Sequence, residues 1–104
     1  MIKKNFFSLL ILILLINKQA KSDSMLDMGK DIFLNKASCS TCHTLKDAGS
    51  GGQIGPNLND IRPEKITVIN AVTNGIGVMP AYEGELTAEE IEAVAHYVFK
   101  STAN

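Results

Sequence analysis

The chain has 104 residues, with ten Lys and Arg against eleven Asp and Glu, two Cys and no Trp. That length holds one small domain with a limited core, and neither a linker nor an internal repeat divides it. A formal net charge of −1 excludes the strongly basic balance on which nucleic-acid binding draws.

The first element is a leader. Ile2-Lys3-Lys4-Asn5 is basic, Phe6 to Ile16 is an apolar run of eleven residues broken only by Ser8, and Asn17-Lys18-Gln19-Ala20-Lys21-Ser22 is polar. That order is a secretory signal peptide, with the small residues Ala20 and Ser22 where a peptidase reads, so residues 1–22 are expected to be removed and 23–104 to form the domain. The rival reading is a retained anchor, but a membrane span needs about 20 apolar residues. Export implies the periplasm, with no stable membrane insertion once the leader is cleaved and a membrane tether only if it stays. Lys3, Lys4, Lys18 and Lys21 leave with the leader, so six basic residues then face eleven acidic ones, a net charge of −5. Such an acidic domain points away from nucleic acid and anionic membranes and toward partners with basic docking patches.

The first helix is expected from Asp23 or Ser24, either of which can cap it, to Asn35. Met25, Met28, Gly29, Ile32 and Phe33 share one face at the 3.6 period. A glycine inside that stripe costs about 1 kcal/mol relative to Ala, which close approach of another helix would explain. Cys39-Ser40-Thr41-Cys42-His43 follows. This C-x-x-C-H run reads as a covalent attachment site for c-type haem. Two thiols three positions apart can each reach one vinyl group of the same porphyrin, and the imidazole that follows meets the iron. Only four aromatics lie beyond the leader, Phe33, Tyr82, Tyr97 and Phe99, so a flat apolar cofactor would fill missing core volume.

Lys46 to Leu58 is a loop rich in turn formers, from Asp47 and Gly49 to Gly55 and Pro56. It has no complete G-x-G-x-x-G and no strand before it, so it is not read as a phosphate cradle. A middle helix is expected from Pro63, at its first position, to Thr73, stopped by Asn74-Gly75, with Ile66, Ile69 and Val72 inward. A loop bearing Met79-Pro80 leads to the last helix, Ala88 to Lys100, opened by a capping box of Thr87 and Glu90. Its stripe of Ile91, Val94, Ala95 and Val98, flanked by Tyr97 and Phe99, is expected to cross the first helix at Gly29, with Phe33 and Tyr97 near the contact. No segment alternates with period 2, so no strand is expected and the class is all-α.

His43 is the candidate proximal ligand. A low-spin carrier needs a second axial ligand, and a methionine thioether serves where the potential is high. Met25 and Met28 sit on a helical stripe and read as core fillers. Met79 lies in a loop where Gly75 and Gly77 permit close backbone approach and Pro80 fixes the chain just after it. His96, the competitor, falls beside Glu89 and Glu92 on the wetter face of the last helix and reads as a surface histidine. A proximal imidazole normally donates its other N–H to an acceptor; the Pro56 carbonyl in Gly55-Pro56-Asn57-Leu58 is the candidate, with Leu58 covering the ring edge. Arg62 reads as an exposed loop residue, and Tyr82 carries no assigned role.

These residues resemble those of the class I cytochromes c along the whole mature chain. The matching pieces are Gly29-x-x-x-Phe33, Cys39-x-x-Cys42-His43, Gly55-Pro56-Asn57-Leu58, Met79-Pro80 and Tyr97. The resemblance implies three or more helices wrapped around one covalent haem c, with the terminal helices crossing. It implies thioether links to Cys39 and Cys42, axial His43 and Met79, and the Pro56 carbonyl on His43. The short interval between His43 and Met79 is similar to that of the small bacterial and photosynthetic members. The segments Thr44 to Gly49 and Gly75 to Ala81 are similar to those of cytochrome subunits that accept electrons from periplasmic sulfite dehydrogenases. The function expected is single-electron transfer between a dehydrogenase and an acceptor such as a terminal oxidase. The alternative is a haem enzyme or gas-binding protein with an open sixth site, which requires Met79 not to bind. A zinc or thiol–disulfide module lacks a fourth ligand and a βαβ pattern.

Overall fold

The structure, a computed structural model, describes residues 23–103. The signal-peptide reading of residues 1–22 lies outside them. The first helix, α1, covers residues 23–31, with Asp23 and Ser24 already inside it, so neither is its cap. At Ile32–Lys36 it widens into a π turn, closed by the Ala37 N–H on the Ile32 carbonyl at 2.9 Å. Ser38 then takes a left-handed conformation, φ +52°, and feeds the chain into a 3-10 turn at Cys39–Thr41.

The expected loop, Lys46 to Leu58, and the residues at its two ends hold unforeseen elements. Thr44–Leu45 (β1) pairs antiparallel with Ser50–Gly51 (β2), Thr44 opposite Gly51 and Leu45 opposite Ser50. Strands of two residues are too short to show alternation in sequence, so none was expected. Side chains brace the pair. The Ser50 hydroxyl accepts from the Leu45 N–H at 3.1 Å and donates to the His43 carbonyl at 3.0 Å, while Thr44 Oγ1 donates to the Gly52 carbonyl at 2.9 Å. Further on, Leu58 does not end a loop but opens a short helix, α2 (Leu58–Ile61). Asn57 caps it, its side chain accepting from the N–H groups of Asn59 at 3.0 Å and Asp60 at 3.3 Å.

That extra helix delays the next one. The chain must turn out of α2 through Arg62 to Glu64, so α3 runs Lys65–Asn74 with Glu64 at its cap, and Pro63 is not its first residue. Its inner face also differs from expectation. Val68 and Val72 are buried with Ile69 beside them, whereas Ile66 is 62% exposed. Ile66 lies about 200° around the helix from Val68, so the two cannot share a face.

The last helix, α4 (Ala88–Thr102), carries the complete capping box and packs along α3. Ile91, Val94, Ala95 and Val98 are all buried, and Tyr97, at 3% exposure, belongs to that face rather than its flank. Helix α1 crosses α4 at Gly29. A Cβ there would stand 2.2 Å from the Ala93 carbonyl oxygen and 2.6 Å from Tyr97 Cβ, so only a glycine lets the backbones meet this closely. Beside the crossing, Phe33 and Tyr97 pack edge to face with ring centroids 6.0 Å apart, a geometry worth about 0.5–1.5 kcal/mol beyond the area buried. Lys36 pairs with Glu90 and Lys65 with Glu92, fastening the π turn and α3 to α4. The Lys36 ammonium holds the Glu90 carboxyl below the usual carboxylate range.

Candidate cofactor site

The C-x-x-C-H run is folded on itself by one acceptor. The Cys39 carbonyl accepts from the Cys42 N–H at 3.1 Å and the His43 N–H at 3.0 Å, which locks the two thiols and the imidazole in fixed register. The next contact comes from the loop. Gly55 N–H donates to the Cys42 carbonyl at 2.7 Å, laying the Gly55-Pro56 segment against the histidine. A Cβ on Gly55 would stand 2.5 Å from His43 Cε1, so the ring rests on bare backbone. His43 Nδ1 lies 2.8 Å from the Pro56 carbonyl oxygen. A carbonyl can only accept, so Nδ1 carries the proton and Nε2 keeps a lone pair to offer a metal.

Cys39, Cys42, His43 and Met79 all line one cavity of about 430 Å³. Its remaining wall is largely apolar and includes Leu58, Val68, Val72, Val94 and Val98. A cavity of this volume with an apolar wall and a few polar and sulfur groups fits a large, flat, apolar ligand. The donor set is informative: two thiols, one imidazole nitrogen and one thioether sulfur line the same cavity. Nitrogen and sulfur donors of this kind suit haem iron, and the apolar wall suits a flat macrocycle. The residues present therefore fit a covalently held haem. Met79 is half-buried, and its loop is pinned by mutual backbone bonds with Ile76 at 2.9 and 3.1 Å. His96 is half-buried on α4 and does not line the cavity. Burial, with Lys65 and Lys100 nearby, holds its pKa below the ordinary histidine value.

The structure also bears on the module readings. Burial pushes the Cys39 thiol up to about 11, the neighbouring Cys42 adding to the rise and a backbone hydrogen bond opposing it. A redox-active C-x-x-C thiol is shifted the other way. Among the described residues no group of three His, Cys, Asp or Glu side chains is placed to hold a metal ion.

Two features were not legible in the sequence. Tyr82 lines the cavity, and its hydroxyl donates to the Ala37 carbonyl at 3.1 Å. Ile54, Ile61, Ile76 and Val78 also line the cavity while being 55–88% exposed, so its mouth has an apolar rim. Among the described residues no helix is long and apolar enough to cross a membrane.

Comparison with known proteins identifies the family. The family model described as cytochrome c oxidase, cbb3-type, subunit III matches residues 24–98. The chain belongs to the class I c-type cytochromes, electron carriers rather than enzymes, which hold haem c covalently. Cytochrome c6 of Gracilaria tenuistipitata var. liui is 36% identical over 96 residues, covering 85% of this chain and 83% of its own. The crystal structure of the c-type cytochrome SorU from Sinorhizobium meliloti is similar at a TM-score of 0.73 and 50% identity, covering 77% of this chain and 93% of that one. The cbb3-type oxidase subunit FixP of Bradyrhizobium sp. (strain ORS 278) is 39% identical over 75 residues, 67% of this chain but 25% of that subunit.

Proposed function

We propose that this chain is a periplasmic monohaem carrier in which Cys39 and Cys42 would hold the porphyrin through thioether links, while His43 Nε2 and the Met79 sulfur would be the two protein ligands of the iron. The observation that carries the reading is the convergence of these four side chains, from two separate segments, on one apolar cavity. Haem held there supplies a single ferric–ferrous couple.

The protein's own residues set the terms of that couple. The Pro56 carbonyl orients His43 and makes it a more basic ligand. Leu58, Val72, Val94 and Val98 keep water from the cavity wall. With its sulfur on the iron, Met79 would take the position that a substrate or gas would need, which suits transfer of electrons rather than chemistry on a bound molecule. A thioether in that position favours a high potential.

The exposed rim of Ile54, Ile61, Ile76 and Val78 supports docking at the cavity mouth. The acidic excess of the exported chain supports steering toward basic patches on the partners. The donor we favour is a periplasmic dehydrogenase, sulfite dehydrogenase first, and the acceptor a terminal oxidase. Export by cleavage of residues 1–22 belongs to the same reading.

The decisive experiment is the ferric spectrum. Wild type should show a red-region sulfur-to-iron band that Met79→Ala loses. High-spin iron in wild type would sink the carrier reading. Reduction by a purified sulfite dehydrogenase should be direct and should slow as salt rises; a rate that is flat or rises with salt counts against charge steering.

A further inference from the structure

Tyr82 stands three residues past Met79 and ties together three parts of the fold. Its N–H donates to the Val72 carbonyl near the end of α3 at 2.8 Å. Its carbonyl accepts from Glu85 and Leu86 at 3.0 and 2.9 Å, closing the turn that leads to α4. Its hydroxyl crosses to the Ala37 carbonyl, 45 residues earlier, at 3.1 Å. Ala37 ends the π turn, and one residue, Ser38, separates it from Cys39. The Tyr82 side chain lines the cavity along with Cys39 and Met79.

The bonds that shape the Met79 loop from within are local. Ile76 and Met79 bond each other, and Gly75, at φ +74°, turns the chain off α3. Such bonds travel with the loop if it swings outward. Two bonds of Tyr82 are of another kind: its N–H fastens the end of the loop to Val72 of α3, and its hydroxyl joins that end to the segment that carries the thiols, so outward movement that carries Tyr82 with it breaks the Tyr82–Ala37 bond.

We propose that Tyr82 is a positioning residue whose hydroxyl latches the Met79 loop to the Cys39 segment and so sets how readily the Met79 sulfur leaves the iron. This rests on the reading of Met79 as an axial ligand. An added ligand binds only after the sulfur has left, so its observed affinity scales with the fraction of molecules in the open state. Loss of one hydroxyl–carbonyl bond shifts that equilibrium about fivefold.

The test uses ferric holoprotein titrated with imidazole. Tyr82→Phe keeps the ring and removes only the hydroxyl, so the sulfur-to-iron band should persist while the imidazole Kd falls about fivefold. Tyr97→Phe is the control. It deletes a hydroxyl bonded to Asp47 Oδ2 at 2.6 Å, outside the Met79 loop, and should leave the imidazole Kd within about twofold of wild type even though it lowers the urea midpoint. An unchanged Kd in Tyr82→Phe overturns the latch, and so does an equal fall in both variants. If wild type lacks the sulfur-to-iron band, the ligand reading itself has failed and the latch falls with it; that outcome is visible before any titration.

Discussion

Gly29→Ala sets two effects of opposite sign against each other. Inside a helix, alanine is favoured over glycine by about 1 kcal/mol, so a purely local view predicts a more stable protein. The crossing says otherwise. The new methyl would lie 2.2 Å from the Ala93 carbonyl oxygen, against the 3.4 Å at which ordinary contact begins, and 2.6 Å from Tyr97 Cβ. The Ala93 oxygen is backbone and cannot swing aside, so the two helices must separate by about 1 Å. Such overpacking costs about 1–3 kcal/mol and occasionally more. Here it also disturbs the Phe33–Tyr97 edge-to-face pair, worth about 1 kcal/mol. The net expectation is a loss of about 2 kcal/mol, or a fall in Tm of about 8–16 °C for a domain of this size. Thermal unfolding of the reduced holoprotein, followed by circular dichroism, measures it. A variant as stable as wild type would refute the reasoning, because propensity would then have outweighed the contact.

Three further outcomes are expected. Gly55→Ala places a Cβ 2.5 Å from His43 Cε1 and pushes the imidazole off the Pro56 carbonyl. The less basic ligand should raise the reduction potential, and an unchanged value in protein-film voltammetry contradicts this. Burial, and then the Asp47 carboxylate, push the Tyr97 hydroxyl well above its ordinary pKa of about 10. The folded chain keeps that proton where the unfolded chain releases it, so stability is full below about pH 10 and falls as pH rises above it. Urea midpoints of the reduced protein should show this decline, and Tyr97→Phe should make it shallower. A remainder belongs to Tyr82, whose hydroxyl is raised chiefly by burial. Asn57→Ala removes the cap of α2 and should cost about 1 kcal/mol, a fall of about 4–8 °C in Tm; an unmoved Tm argues against the cap.

Features that depend on a few adjacent residues are legible in the sequence. The capping box of Thr87 and Glu90 forms as its spacing dictates. The Cys39 to His43 run, whose register rests on one carbonyl, is equally local. Gly29 could be placed at the crossing because its local cost demanded a distant reason. Ile66 and Val68 mark the limit. Both are β-branched aliphatic residues on one helix, and only the position of α4 decides which is buried. The α2 helix and the β1–β2 pair were equally hidden, being too short for any period to declare them.

What the sequence determined by itself was therefore the candidate set of chemistry-bearing residues, the helical class and the capping box that opens α4, all properties of spacing and propensity over a few residues. What the tertiary structure decided was convergence: that Met79 and the Cys39–Cys42–His43 run line the same hollow, that the Pro56 carbonyl meets His43 Nδ1, and that the Tyr82 hydroxyl reaches Ala37. These contacts join residues 13 to 45 positions apart. Propensity and spacing act over a few residues, whereas closing such intervals is opposed by chain entropy and repaid only when the core forms as a whole.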